Sequence, residues 1–340
     1  MGKVIVIAEA GVNHNGDILI AKLLIDKAVE AGVDYVKFQT FKAETLVSKS
    51  AKKADYQSVN LNDGDDSQYN MLKKLELTHE HHMELMKYCN ERNIKFLSTA
   101  FDVEGVHYLN RLELDLFKIP SGEITNYPYL CAIAQCGKPV IMSTGMCTKQ
   151  EINDALEVLI QNGVAKENIT ILHCNTEYPT PMKDVNLLAM LTIGKDFGVK
   201  TGYSDHTLGI EVPIAAVALG AIIIEKHFTL DSTMQGPDHI ASLEPQALKE
   251  MVKAIRNIEL AISGDGLKKP SESEFKNTAI ARKSIHIKNN LPQGHILTDA
   301  DLIVLRPGDG ISPMKWNVVI GKELLTPKNE FDKLAFSDIV

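Results

Sequence analysis

Two lysines and two histidines of this chain stand where short apolar runs end, at positions where buried strands rarely carry charge. Lys37 and Lys118 lie near the ends of two such runs, and His206 and His227 follow two later ones. Lysine ammonium groups suit an anion, and neutral imidazoles suit a metal ion. The placement therefore predicts an anion site and a metal site carried by one set of strands.

Small hydroxyl side chains accompany the lysines at the ends of other runs. They are Thr99, Ser121, Ser143 and Ser204. Each alone is typical of a turn or a helix cap. Several such donors beside point-charge lysines favour a phosphate ligand, so we predict a phosphate-binding sub-site here.

The two histidines would leave most of a metal's coordination sphere to water and substrate, which indicates an open Lewis-acid site rather than a structural zinc. Two imidazole nitrogens together with oxygen ligands fit Mn²⁺, Mg²⁺ or Co²⁺, and the sequence does not separate these metals. A lone histidine at a strand end is, however, more often a hydrogen-bonded core residue. A third group, His79, His81 and His82, opens a predicted helix and is expected at the surface.

Three carboxylates are candidates for acid/base chemistry: Glu9, Glu123 and Asp238. Carboxyl groups enclosed beside a metal can have shifted pKa values, as proton transfer requires. Sequence does not give the distances between them, so their individual roles stay open.

The elements that must position these residues alternate between strands and helices. Amphipathic segments such as 19–31, 80–92, 103–112, 149–162 and 244–262 separate eight short apolar runs, which predicts βα units around a parallel sheet. Eight units predict an α/β fold, a (β/α)8 TIM-type barrel, with the polar run ends meeting on one face. The runs are Val4–Ala8, Tyr35–Phe38, Ile94–Leu97, Leu116–Ile119, Val140–Met142, Ile169–Leu172, Val199–Tyr203 and Ala221–Ile224.

The predicted barrel domain covers residues 1–262. A polar linker, 263–279, and a small β-rich module, 280–340, follow it, and Val318–Ile320 is one of the short strands expected in the module. Residues 41–78 form a long polar insertion that we interpret as a lid or substrate loop.

Composition excludes several classes of protein. The net charge is −8 without a clustered basic face, which argues against nucleic-acid binding. No apolar run is long enough to predict a membrane span, and the N-terminus is typical of a first strand rather than a signal peptide. The five cysteines lack metal spacing and indicate reduced thiols, so we expect a cytoplasmic protein.

Together these strand-end motifs resemble the sialic acid synthases, and the C-terminal module resembles their antifreeze-like (SAF) domain. The resemblance covers essentially the whole chain in order, although Ala100 and Lys226 depart from residues found in many relatives. It is carried by 8-AEAGVNHNG-16, 36-VKFQTF-41, 97-LSTAFD-102, 118-KIPSGEITNYP-128, 143-STGM-146, 172-LHCNTEYPTP-181, 203-YSDHTLG-209, 224-IEKHFTLD-231 and 306-RPGDGISPMKW-316.

The resemblance implies a divalent-metal-dependent condensation of phosphoenolpyruvate with N-acetylmannosamine and water, giving N-acetylneuraminate and phosphate. It places the phosphoenolpyruvate contacts on the two lysines and the four hydroxyls. It adds Gln39, Asn175 and Tyr178 as sugar contacts, with Arg306 supplied by the module of the other protomer. A homodimer is therefore expected.

Two alternatives stay open. The enzyme would be a legionaminate or other nonulosonic acid synthase if its sugar were a 2,4-diacetamido-6-deoxy-mannose. A protein of another class, a non-catalytic carbohydrate binder, would not need the lysines and histidines of the predicted barrel mouth.

Overall fold

A parallel barrel of eight strands forms the larger part of the molecule. The computed structural model describes residues 2–340, and the predicted α/β barrel is confirmed. The strands extend further into the polar motifs than the apolar runs do, because the parallel ladders continue there. They are β1 (Ile5–Gly11), β2 (Tyr35–Thr40), β3 (Lys95–Ala100), β4 (Phe117–Ile119), β5 (Val140–Ser143), β6 (Ile169–Cys174), β7 (Lys200–Asp205) and β8 (Ile223–His227).

Helices follow the strands and bury their apolar faces against the barrel. The long C-terminal barrel helix, for example, buries Leu248, Met251, Val252 and Ile255 at helical spacing. The barrel helices are α1 (Ile18–Ala31), α2 (Ala43–Leu46), α3 (Asp55–Leu61), α4 (Gln68–Leu75), α5 (His79–Glu91), α6 (Val103–Arg111), α7 (Tyr127–Gln135), α8 (Lys149–Gln161), α9 (Ala189–Phe197), α10 (Glu211–Ala218) and α11 (Pro245–Ala261).

The barrel has one seam. Across residues 2–340, ladders join all neighbouring strands except β3 and β4. The buried Tyr129 of α7 lies at this seam, and its hydroxyl donates to the carbonyl of Ala100, at the end of β3, over 2.9 Å. The same hydroxyl is 3.5 Å from the carbonyl of Lys118 in β4, so one side chain links the two strand ends.

The chain divides at Ser263/Gly264 into two compact units. The second unit contains α12 (Glu272–Ala281), the antiparallel strands β9 (Ser284–Ile287) and β10 (Leu302–Leu305), and the short helix α13 (Trp316–Val319). Its own core consists of Ile285, Ile287, Leu297, Leu302, Ile311, Val319, Leu324, Leu334 and Ile339.

Two expectations for this part of the chain were wrong. Helix α12 occupies the second half of the predicted linker, because Ser271 and Glu274 form a capping box that starts it. The predicted strand Val318–Ile320 is instead largely the helix α13, which follows a turn capped by the Ser312 hydroxyl.

No helix within residues 2–340 combines the length and the apolar character that crossing a membrane requires.

Candidate active site

The carboxyl ends of the barrel strands surround a cavity of about 560 Å³. Side chains alternate along a strand, so every second residue of each strand end points into it. The cavity is lined by all of the predicted site residues except Asn175 and Arg306: Glu9, Lys37, Gln39, Thr99, Lys118, Ser121, Glu123, Ser143, Tyr178, Ser204, His206, His227 and Asp238.

Four ionisable side chains meet on the cavity floor. Lys37 Nζ lies 2.6 Å from Glu9 Oε2 and 3.6 Å from Glu225 Oε2, and Lys118 Nζ lies 3.3 Å from Glu225 Oε1. The Ser204 hydroxyl donates to Glu225 over 3.0 Å. All four charged groups are buried, so each depends on its partners for the stabilisation that water would otherwise provide.

The two carboxyls of this quartet differ in acidity. Burial would raise the pKa of Glu225, but Lys118, Lys37 and the Ser204 hydroxyl hold it at about 2. Burial raises the pKa of Glu9 above its usual value, against the opposing effect of Lys37. The floor therefore combines one carboxylate with one carboxyl that holds a proton more readily.

The predicted hydroxyl groups line the same floor. Thr99 accepts a hydrogen bond from Lys37 over 3.1 Å, and Ser121 accepts one from the backbone of Gly145 over 2.9 Å. Ser143 Oγ is buried and has no hydrogen-bond partner among residues 2–340. An unpaired buried hydroxyl in a polar cavity is suited to a ligand oxygen.

Gly145 explains part of the 143-STGM-146 motif. A Cβ at this position would lie 2.5 Å from the Thr176 side chain and 3.0 Å from Ser121 Oγ. A side chain here would thus force Thr176 to shift and would crowd the Ser121 hydroxyl.

His206 and His227 lie side by side, with ring centroids 5.2 Å apart. Tyr178 stacks on His206 at 4.0 Å and meets His227 edge-on at 5.4 Å. His206 Nδ1 bonds to the backbone carbonyl of Asn175, which leaves Nε2 with its lone pair. The structure thus gives Asn175 a role through its main chain, and its side chain caps the following turn rather than lining the cavity.

The histidine pair fits a divalent metal. Burial lowers the pKa of His206 to about 4 and also lowers that of His227, so both rings are neutral donors at pH 7. The buried Nδ1 of His227 has no hydrogen-bond partner in the part of the chain that the structure describes. Residues 2–340 contain no group of three or more His, Cys, Asp or Glu side chains arranged to hold a metal ion, so substrate or water would complete the coordination.

Two further carboxyls face the cavity. Burial, with Glu9 as a second cause, raises the pKa of Asp238 to about 7. Burial also raises the pKa of Glu123, while Asn126 donates to this carboxylate over 2.6 Å and opposes the shift. Glu9 is the third of the predicted carboxyl groups, and Gln39 orients it by donating a hydrogen bond over 3.2 Å.

The insertion 41–78 is a folded cap. Its helices α2, α3 and α4 pack their apolar residues into a small core of their own, with Val12, Phe41 and Phe101 from the barrel loops. The buried ammonium of Lys53 pairs with Asp63 over 2.7 Å and holds the polar tip. The cap gives the cavity an apolar wall formed by Phe41, Leu46, Val47, Met71, Leu72 and Leu75, and Phe101 of the loop after β3 adds to it.

Several lining residues were not predicted. Glu225 was overlooked, although strand alternation places it on the same side of β8 as His227. Tyr56 of the cap stacks on Tyr178 at 5.2 Å, and no sequence pattern indicated it. Arg306 lies exposed in the second unit, directly after β10.

The expected surface position of His82 was wrong. This ring is fully buried, bonds to the Thr40 hydroxyl over 2.7 Å and to the Thr78 carbonyl over 2.8 Å. His79 is exposed but stacks on Tyr108 at 3.7 Å. The histidine group therefore fastens α5 to the barrel.

Comparison with known proteins shows which family the chain belongs to. A model described as the NeuB family matches residues 24–268, and a model of the SAF domain matches residues 282–330. The N,N'-diacetyllegionaminic acid synthase of Campylobacter jejuni is 53% identical over 95% of this chain and 96% of that protein. The protein of the same description from Legionella pneumophila is 47% identical over 94% and 90%. The crystal structure of the N-acetylneuraminic acid synthetase of Leptospira borgpetersenii with citrate is 34% identical, with a TM-score of 0.70 over 81% of this chain and 90% of that one.

Proposed function

Because the chain belongs to the NeuB family of phosphoenolpyruvate-dependent, C–C bond-forming transferases, we propose that it makes N,N'-diacetyllegionaminic acid. In this proposal phosphoenolpyruvate condenses with a 2,4-diacetamido-6-deoxy-mannose and water, and phosphate is released. The two relatives of that description, at 53% and 47% identity, support this sugar better than the N-acetylmannosamine of our first interpretation.

The apolar wall of the cavity is the observation that carries the choice of sugar. Leu46, Leu72 and Leu75 of the cap line the same cavity as the charged floor. Relative to N-acetylmannosamine, the proposed sugar has a methyl group at carbon 6 and a second acetamido methyl at carbon 4, in place of polar hydroxyls. Each buried methyl gains about 0.8 kcal/mol, whereas a hydroxyl against the same wall loses its hydrogen bonds to water.

The charged floor supports the phosphoenolpyruvate half of the reaction. Lys37 and Lys118 would hold the phosphate and carboxylate, with the free Ser143 hydroxyl as a further donor. Carbon 3 of phosphoenolpyruvate attacks the sugar aldehyde, the C–C bond forms, and the aldehyde oxygen takes a proton. Glu9, whose pKa is raised by burial, is placed to supply that proton. Water then adds at carbon 2, gives its proton to a cavity carboxylate, and the tetrahedral intermediate loses phosphate.

His206 and His227 would hold a divalent metal, Mn²⁺ in our proposal, with Mg²⁺ or Co²⁺ as alternatives. When bound, such a metal supplies Lewis-acid polarisation of the sugar aldehyde. The chain's contribution is to keep both rings neutral by burial and to orient His206 through the Asn175 carbonyl.

The proposal includes a homodimer in which the partner's Arg306 completes the sugar end of the cavity. Support comes from the family's pattern at 306-RPGDG-310 and from the exposed position of Arg306 on its own unit. An arginine there would add a fixed fork of donors that the cap does not provide.

The test compares two sugars. With purified full-length chain, Mn²⁺ and phosphoenolpyruvate, phosphate release should show kcat/KM at least about tenfold higher for the 2,4-diacetamido-6-deoxy sugar than for N-acetylmannosamine. A higher value for N-acetylmannosamine would contradict the proposal. No release with either sugar and any divalent metal would favour a carbohydrate-binding protein.

A matched pair of variants tests the apolar wall. Leu72→Gln should lower the preference several-fold, because a polar side chain then faces the two methyl groups. Leu23→Gln is the control, since Leu23 is 49% exposed on α1 and outside the cavity. An unchanged preference in Leu72→Gln would remove the wall from the argument.

A further inference from the structure

The loop that follows β8, residues 228–242, carries Asp238 and is hydrogen-bonded to two separate segments of the molecule. One side faces the β1–α1 loop of the barrel, and the other faces the cap helix α3. Asp238 itself lines the cavity and is buried. The position of its carboxyl therefore depends on how both sides hold the loop.

On the barrel side the loop is fixed by Asn13. Its buried carboxamide donates to the Phe228 carbonyl over 2.8 Å and to the Ser242 hydroxyl over 2.9 Å. The Ser242 hydroxyl in turn donates to the backbone carbonyl of Asp238 over 2.7 Å. Two hydrogen bonds, joined at the Ser242 hydroxyl, thus link the main chain of Asp238 to Asn13 of the β1–α1 loop.

Asn15 holds the other arm of the loop. It donates to the Gln235 carbonyl over 3.0 Å, and its side-chain oxygen lies 3.2 Å from Nε2 of the buried His239. Gly236 fits between these groups, since a Cβ there would lie 2.5 Å from the His239 ring and 2.9 Å from Asn15 Oδ1. This side of the loop is therefore packed and rigid.

On the cap side the contacts are fewer and come from a short helix. Asn60 of α3 donates to the carbonyl of Pro237 over 2.7 Å, and the Gln235 side chain donates to the carbonyl of Leu61 over 3.2 Å. Pro237 directly precedes Asp238, and its ring restricts the main chain whose carbonyl accepts the hydrogen bond from Asn60. In the same helix, Tyr56 stacks on Tyr178, which stacks on His206.

We propose that Asn60 is a positioning residue that couples the cap to Asp238. The position of the Asp238 carboxyl then depends on the position of α3 at the cavity. Asn60 does so through its hydrogen bond to the Pro237 carbonyl, while Asn13 and Asn15 hold the rest of the loop on the barrel. The coupling is local, because α3 is joined to the loop by these two side-chain hydrogen bonds within residues 2–340.

Hydrogen-exchange mass spectrometry of the full chain tests the coupling without assuming a substrate. Asn60→Ala, and Asn60→Asp, whose carboxylate cannot donate to a carbonyl, should raise deuterium uptake in peptides covering 228–242 and leave barrel strand peptides unchanged. Val59→Ala is the control, because Val59 lies on the same helix and is 75% exposed. Unchanged uptake in 228–242, or a rise spread over the whole barrel, would overturn the proposal.

A second experiment, on enzyme kinetics, rests on the proposed function. Asn60→Ala should lower kcat/KM for the sugar about tenfold, as expected for one lost hydrogen bond at a positioned group, and leave KM for phosphoenolpyruvate unchanged. A rise in KM for phosphoenolpyruvate as large as the fall in kcat/KM for the sugar would overturn the positioning role. A chain that shows the exchange result but turns over neither sugar would refute the proposed function and leave the coupling intact.

Discussion

The two histidines of the pair, His206 and His227, differ in the contacts that their Nδ1 atoms make. His206 is oriented by the Asn175 carbonyl and by Tyr178, whereas His227 Nδ1 has no hydrogen-bond partner among residues 2–340. Behind them, on the outer faces of β7 and β8, Lys226 and Asp205 form a fully buried ion pair at 2.5 Å. The strand ends that present the rings are therefore fixed from the reverse side.

Removing either ring should weaken metal binding. His206→Ala or His227→Ala should weaken Mn²⁺ affinity at least about tenfold in calorimetric titration, and activity should fall with it, because only one protein nitrogen remains. The metal-free melting temperature should stay close to that of the parent chain. His107→Ala is the control, since His107 is exposed on α6. Full affinity in both variants would rule out the two-histidine site.

Asp238 gives the protein a pH-dependent stability. Burial, and then Glu9, raise its pKa from 3.8 to about 7, so folding favours the protonated carboxyl. The stabilisation is present below the unfolded pKa and is lost as the pH rises through about 7. One pKa unit corresponds to about 1.4 kcal/mol, so the effect can reach a few kcal/mol.

Asp238→Asn, which cannot ionise, should therefore match the parent chain in melting temperature near about pH 4 and exceed it at about pH 8. Differential scanning calorimetry across this range measures the difference. A difference that does not change with pH would contradict the raised pKa of Asp238.

At the scale of elements, the sequence predicted the barrel because each strand shows the same local pattern. Short apolar runs and amphipathic helices both arise from burial, and the structure contains both. The inward residues of β8 also follow from the alternation of side chains along a strand. Because His227 was predicted to point into the cavity, Glu225, two residues earlier, could have been predicted as well.

The cap was harder to predict for a physical reason. Its helices α2 and α3 have four and seven residues, too few for a helical period to stand out. Their stability comes from packing with Phe41 and Phe101, which lie on separate barrel loops. Contacts of this kind, like the Tyr56–Tyr178 stack, join segments far apart in the chain and leave no local pattern.

At the scale of the whole molecule, the proposed homodimer makes a prediction about Arg306. Arg306→Ala should lower kcat/KM for the sugar by about tenfold or more, since a charged donor to a substrate oxygen is lost. A chain ending before residue 280 should show the same loss. A truncated chain with the parent's turnover would contradict a contribution of the second unit to catalysis.

Complementation separates a contribution in trans from one within a protomer. Arg306→Ala protomers, which keep a residual activity, and inactive Lys118→Ala protomers should be more active when co-expressed than Arg306→Ala alone, because a mixed dimer then holds one intact site. Absence of any recovery would place both residues in the site of a single protomer.

The balance of charge on the cavity floor also bears on how fast phosphoenolpyruvate arrives. Lys37 and Lys118 are offset by Glu9 and Glu225, and the chain as a whole carries −8. In the metal-free chain, and while Glu9 is ionised, such a site has no excess positive potential to draw a trianion from a distance, so electrostatic steering cannot accelerate the encounter. Capture then depends on contacts made after entry, and the association rate should change little with added salt or rise slightly as the long-range repulsion is screened.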